Sequence, residues 1–106
     1  MTPGLTAIQR EAVRGALAPF AARIERVALY GSRARGDHRP GSDIDLLLVG
    51  DLDFQALTAI AAALEGSDLS VHADVTLPPP PESPLAAVIA REAIPLFERA
   101  DLTARG

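Results

Sequence analysis

Asp43 and Asp45 open a nearly continuous apolar run, Asp43-Ile44-Asp45-Leu46-Leu47-Leu48-Val49. A run of this length predicts a strand buried on both faces, which requires a sheet with cover on each side. An aspartate placed just before such a run is costly unless something ligates it. Two residues apart on a strand, the carboxylates project from one face, their α-carbons about 7 Å apart. They repel each other unless a cation lies between them. Magnesium is the natural candidate, because it takes hard oxygen ligands and shares its shell with phosphate oxygens.

The segment upstream supplies a complement to that cation. Val27-Ala28-Leu29-Tyr30 reads as a strand, followed directly by Gly31-Ser32-Arg33-Ala34-Arg35-Gly36. Glycine after a strand lets the backbone turn sharply and approach a ligand. A short helix starting at Ser32 would offer free N–H groups and a hydroxyl as an anion site for a phosphate. Arg33 and Arg35 could neutralise triphosphate charge, or be solvated, or bind an acidic partner. Ser42 either orients the Asp43 carboxylate or is a turn residue.

A third carboxylate follows. From Leu69 to Thr76 the chain alternates, with Leu69, Val71, Ala73 and Val75 on one face and Ser70, His72, Asp74 and Thr76 on the other. If that strand neighbours the first, Asp74 closes a metal site. Three carboxylates and two magnesium ions then form a clamp for in-line attack on a nucleotide α-phosphorus. A polar-face aspartate on a half-exposed strand is also common for purely structural reasons. His72 shares the face with Asp74, although a lone strand histidine is more often structural, and His38 is expected to be exposed. Asp37, Asp51, Asp53 and Asp68 sit in turn or cap contexts, and Tyr30 reads as a packing residue.

The remaining elements predict a small sheet with helices packed against it, an α/β or α+β domain of about three to four strands. Thr6 and Gln9 form a capping box, after which Ile8, Ala12, Val13, Ala16 and Leu17 recur at helical spacing until Pro19. A short helical stretch is expected over Phe20–Glu25. Asp53 caps a helix through Leu64, with Ala56, Leu57, Ile60, Ala61 and Leu64 inward and Gly66 ending it. Residues 78–84 form a proline-rich connector, a last helix spans Leu85–Phe97 with a kink at Pro95, and 100–106 is a tail. With 106 residues, a single domain is expected.

Composition narrows the chemistry. Cysteine is absent, which excludes a thiol nucleophile and a thiolate zinc site. Lysine is absent too, so there is no P-loop and no Schiff-base chemistry. A net charge of −4 argues against general nucleic-acid binding. No apolar run approaches a membrane span and no secretory leader is visible, so the expected location is the cytoplasm.

These residues resemble the polymerase-beta nucleotidyltransferase superfamily, whose signature is GS, about ten residues, then DxD. Gly31-Ser32 and Asp43-Ile44-Asp45 stand at that spacing. The fuller string GSRARG, then SDIDLLLV, looks like the minimal nucleotidyltransferase proteins that are often paired with a HEPN-domain protein in toxin–antitoxin systems. The stretch Val88 to Phe97 is similar to the family's closing segment, with Ala93 where glycine is usual and Phe97 where tyrosine is common. The resemblance implies the polymerase-beta-like fold, ATP as substrate, and Gly31 and Ser32 at the triphosphate. It also implies Asp43 and Asp45 on both magnesium ions and Asp74 on the catalytic one. It further implies AMP transfer to a hydroxyl, in the toxin–antitoxin branch a tyrosine of the HEPN ribonuclease, with a hetero-oligomer as the working form. A protein acceptor bringing its own surface suits so small a chain. Two other readings stay open: a non-catalytic module that masks its partner by complex formation, and transfer to a small molecule or an RNA end.

Overall fold

The computed structural model describes residues 4–103. The chain starts with α1 (Ala7–Leu17), whose Thr6–Gln9 capping box forms as the sequence predicts. Pro19 converts the helix end into a 3-10 turn over Ala18–Arg23, which occupies the place of the helical stretch expected at 20–25. Then come β1 (Ile24–Tyr30), the four-residue α2 (Ser32–Arg35), β2 (Ile44–Gly50), α3 (Phe54–Glu65) and β3 (Ala73–Thr76). The chain closes with α4 (Pro84–Glu92), β4 (Ile94–Glu98) and α5 (Arg99–Thr103).

The four strands make one mixed sheet in the order β3-β2-β1-β4. β1 runs antiparallel to both β2 and β4, whereas β2 and β3 are parallel and joined through α3. Parallel neighbours need such a crossover. On one face Val27, Leu29, Ile44, Leu46 and Leu48 are 0–1% exposed. They pack with Val13 and Leu17 of α1, Ile60 and Leu64 of α3, and Leu102 of α5. Each such side chain contributes about 1.5–3 kcal/mol on leaving water. The opposite face carries Ala28, Tyr30, Asp45, Leu47, Asp74 and Thr76, by register. α4 covers it only partly, burying none of its own side chains and leaving a groove of about 390 Å³ beside Ala28, Leu47 and Ile89.

Several expected boundaries move. Ile8 is 71% exposed and Gln9 is buried in its place, because the Gln9 amide oxygen accepts both the Thr6 N–H and an Arg33 N–H. The strand expected over 69–76 pairs only from Ala73, after a loop in which Leu69 is buried and Ser70 sits at φ 65°. The single helix expected over 85–97 is two elements. It ends at Glu92, and Ile94–Glu98 turns into an edge strand in which Pro95, lacking an N–H, lies opposite Ala28 at a bulge. Residues 100–103 of the expected tail belong to α5, anchored by buried Leu102 and by Arg99 Nε donating to Ile24 O at 2.9 Å. Residues 104–106 lie outside the described residues. Among the described residues no helix is long and apolar enough to cross a membrane.

Candidate active site

The sheet brings together three sequence-distant segments at one end. Tyr30 is the β-partner of Asp45, and Asp45 is the partner of Asp74, so these three stand side by side on the face away from the main core. Strand neighbourhood, the condition on which Asp74 could join the two other aspartates, is therefore met. Asp43 precedes the strand and is exposed, whereas Asp45 is half-buried.

Gly31 shows how tightly the turn is built around Asp45. It has φ +80°, a region that side chains rarely adopt, and an added Cβ would press directly onto Asp45 Oδ2. The chain then enters α2, where Ala34 and Arg35 donate to Gly31 O, both at 3.1 Å. The N–H groups of Ser32 and Arg33, first in the helix, have no acceptor within it.

The electrostatics follow from crowding of like charge. Burial, followed by the neighbouring Asp74 and Asp43 carboxylates, raises the Asp45 pKa above the usual aspartate value. Burial, then Asp45 and Asp74, likewise raises that of Tyr30. His72 answers the charge in part: Nε2 lies 3.0 Å from Asp74 Oδ1 and Nδ1 lies 2.9 Å from Glu65 Oε1. The hydrogen bonds to Asp74 and then Glu65 raise the His72 pKa.

The donor set fits a divalent cation. One ligand atom each of Asp43, His72 and Asp74 lie within 4.8 Å of one another, with Asp45 alongside on its strand. Carboxylate oxygens in this number suit magnesium or manganese, and an imidazole nitrogen is an acceptable additional donor for the latter.

The arginines divide in a way the sequence does not reveal. Arg33 is 2% exposed, with its guanidinium turned to backbone carbonyls rather than to solvent. Its guanidinium donates to Gly4 O at 2.8 Å, Pro40 O at 3.2 Å and Ser42 O at 2.9 Å, tying the motif loop to the start of the described chain. Arg35 is exposed at the site's margin and grips Glu92 of α4 through both carboxylate oxygens, at 2.9 and 3.0 Å, and Asp37 at 3.1 Å. Ser42 Oγ accepts the Arg39 N–H at 2.9 Å, within the turn. His38, expected to be exposed, is half-buried, and its Nδ1 has no hydrogen-bond partner among the described residues. The Glu65–His72–Asp74 chain is the feature that motif reading misses. Alternation puts His72 on Asp74's face, but nothing local brings in Glu65 from the end of α3.

Known proteins share this fold. Two solved structures superpose with TM-scores of 0.67 and 0.65, at 19% and 17% identity. The first, described as a toxin–antitoxin with AMP-PNP, matches 89% of this chain and 80% of its own. The second, a mutant of the toxin–antitoxin MntA–HpeT, matches 84% and 73%. At such identity they establish the fold. A Methanocaldococcus jannaschii protein named "Putative protein adenylyltransferase" is 40% identical over 55 residues, 52% of this chain and 55% of that protein. The chain thus spans about half the length of that curated relative. Residues 11–97 match the family described as nucleotidyltransferase domain, and the chain belongs to that family.

Proposed function

We propose that this chain is a magnesium-dependent protein adenylyltransferase, transferring AMP from ATP to a tyrosine hydroxyl of a partner HEPN-type toxin and so acting as its antitoxin. The observation that carries the reading is Asp45 facing Asp74 across the parallel β2–β3 pair, beside the Gly31–Ser32 turn. Membership of the nucleotidyltransferase family, the adenylyltransferase name of the curated relative and the two toxin–antitoxin structures support the reaction and the kind of partner.

In this reading Asp43, Asp45 and Asp74 hold the ions, which supply positive charge to the triphosphate and acidify the acceptor hydroxyl. The first amides of α2 and the Ser32 hydroxyl receive the β- and γ-phosphates, and Gly31 lets them approach the backbone. Arg35 lies at the margin, where it adds positive charge. The acceptor oxygen attacks the α-phosphorus, the bond to the bridging oxygen of the β-phosphate breaks, pyrophosphate leaves, and the hydroxyl proton passes to solvent.

The test is intact-protein mass spectrometry after incubation with ATP and magnesium, with and without the product of the neighbouring gene. We expect one or more AMP masses on the partner, at least about 100-fold slower in the Asp43→Asn/Asp45→Asn variant, as when transition-state charge stabilisation is removed. A stable complex with no mass gain on either chain would replace this reading with masking by binding alone.

A further inference from the structure

The structure assigns His72 a place among the metal ligands, so that an ion able to take a nitrogen donor, manganese(II) among them, gains a contact here that magnesium does not need. The inference rests on the reading of Asp43 and Asp74 as metal ligands. Three features point to nitrogen as a direct donor rather than a bystander.

First, the ligand atoms of Asp43, His72 and Asp74 lie within 4.8 Å of one another. Ligands about 2.1 Å from one ion are at most about 4.2 Å apart, so small side-chain adjustments close the set around a single ion. Second, the ring is oriented for the task. Both carboxylates can only accept, so each ring nitrogen donates, Nδ1 to Glu65 at 2.9 Å and Nε2 to Asp74 at 3.0 Å, and loss of the Nε2 proton leaves Nε2 facing Asp74 with the ring still held at Nδ1. A carboxylate behind an imidazole is how metal-bound histidines are held in one tautomer. An ion between His72 and Asp74 takes the place of the hydrogen that joins them, which leaves to solvent. Third, the residue is launched from a fixed backbone. His72 O accepts the Ile44 N–H at 2.9 Å, and Leu69 just before it is buried.

Imidazole binds manganese, cobalt or zinc more readily than magnesium, which keeps to oxygen.

Manganese(II) binding to the purified chain, followed by electron paramagnetic resonance with detection of 14N coupling, tests the assignment. Four proteins are compared: the unaltered chain, His72→Gln, Glu65→Gln and Asp43→Asn. We expect bound manganese to show 14N coupling, lost in His72→Gln together with a fall in manganese affinity of about 10–100-fold. Glu65→Gln should weaken binding less while keeping the coupling. Magnesium affinity, read by competition, should change less than about threefold in His72→Gln, since oxygen donors dominate its shell. Bound manganese without nitrogen coupling in the unaltered chain would overturn the inference, and so would an equal fall for both ions. If Asp43→Asn alone weakens binding, the metal reading of the aspartates stands and the role of His72 falls. If neither variant weakens it, both fall.

Discussion

Asp45 is held where an ionised carboxylate is least comfortable: half-buried, under Gly31, between Tyr30 and Asp74. Its raised pKa means that the folded chain binds this proton more tightly than the unfolded chain does. Stability from that difference is fully present below the unfolded pKa, roughly pH 4, and is lost as pH rises through the folded value. At neutral pH the charge therefore opposes folding. In chelator, Asp45→Asn should stabilise the chain at pH 7 by about 1 kcal/mol or less, since solvent still screens the group, and the gain should vanish in acid. Urea denaturation of both proteins at pH 4 and 7 checks this. A variant that is less stable at pH 7 would show that the carboxylate's partners outweigh its desolvation. This tension was partly legible in the sequence, where two aspartates border Leu-Leu-Leu-Val. The pairing of Asp45 with Asp74 was conditional there, because only strand order brings them together.

At the scale of elements, α2 and the loop after it depend on one side chain. The four-residue helix is too short to persist alone. Arg33 secures it by reaching the carbonyls of Gly4, Pro40 and Ser42. Arg33→Met should destabilise the chain by about 2 kcal/mol, because three part-buried carbonyls lose their donor at once. Hydrogen exchange should quicken over residues 37–43. A loss within about 0.5 kcal/mol, typical of a solvated surface residue, would contradict the strut. The sequence did not disclose this. Arg33 and Arg35 differ by two positions in one loop, and only the fold sends one inward and the other to Glu92. The same limit explains the end of the chain. Val88 to Phe97 carries apolar residues at spacings a helix could use, and what makes Ile94–Glu98 a strand is the open edge of β1. By contrast, the Thr6 and Asp53 caps were legible because capping needs only residues three apart.

On the scale of the whole molecule, acidic groups gather at one end of a chain whose net charge is already −4. Binding that neutralises them should therefore register as global stability. Magnesium with a non-hydrolysable ATP analogue, supplied at about 100 times its dissociation constant, should stabilise the fold by about 2.7 kcal/mol. Thermal denaturation should show a higher midpoint for the unaltered chain and none of that gain for Asp43→Asn/Asp45→Asn. An equal gain in both proteins would move the ligand elsewhere. The sheet order adds a consequence for durability. β1 and β2 are the two inner strands, with neighbours on both sides, whereas β3 is a four-residue rim held from one side only. Rims open before centres do. Local fraying would thus take away Asp74 while Asp45 stays seated, so the site comes apart in a fixed order, from its outer member inward.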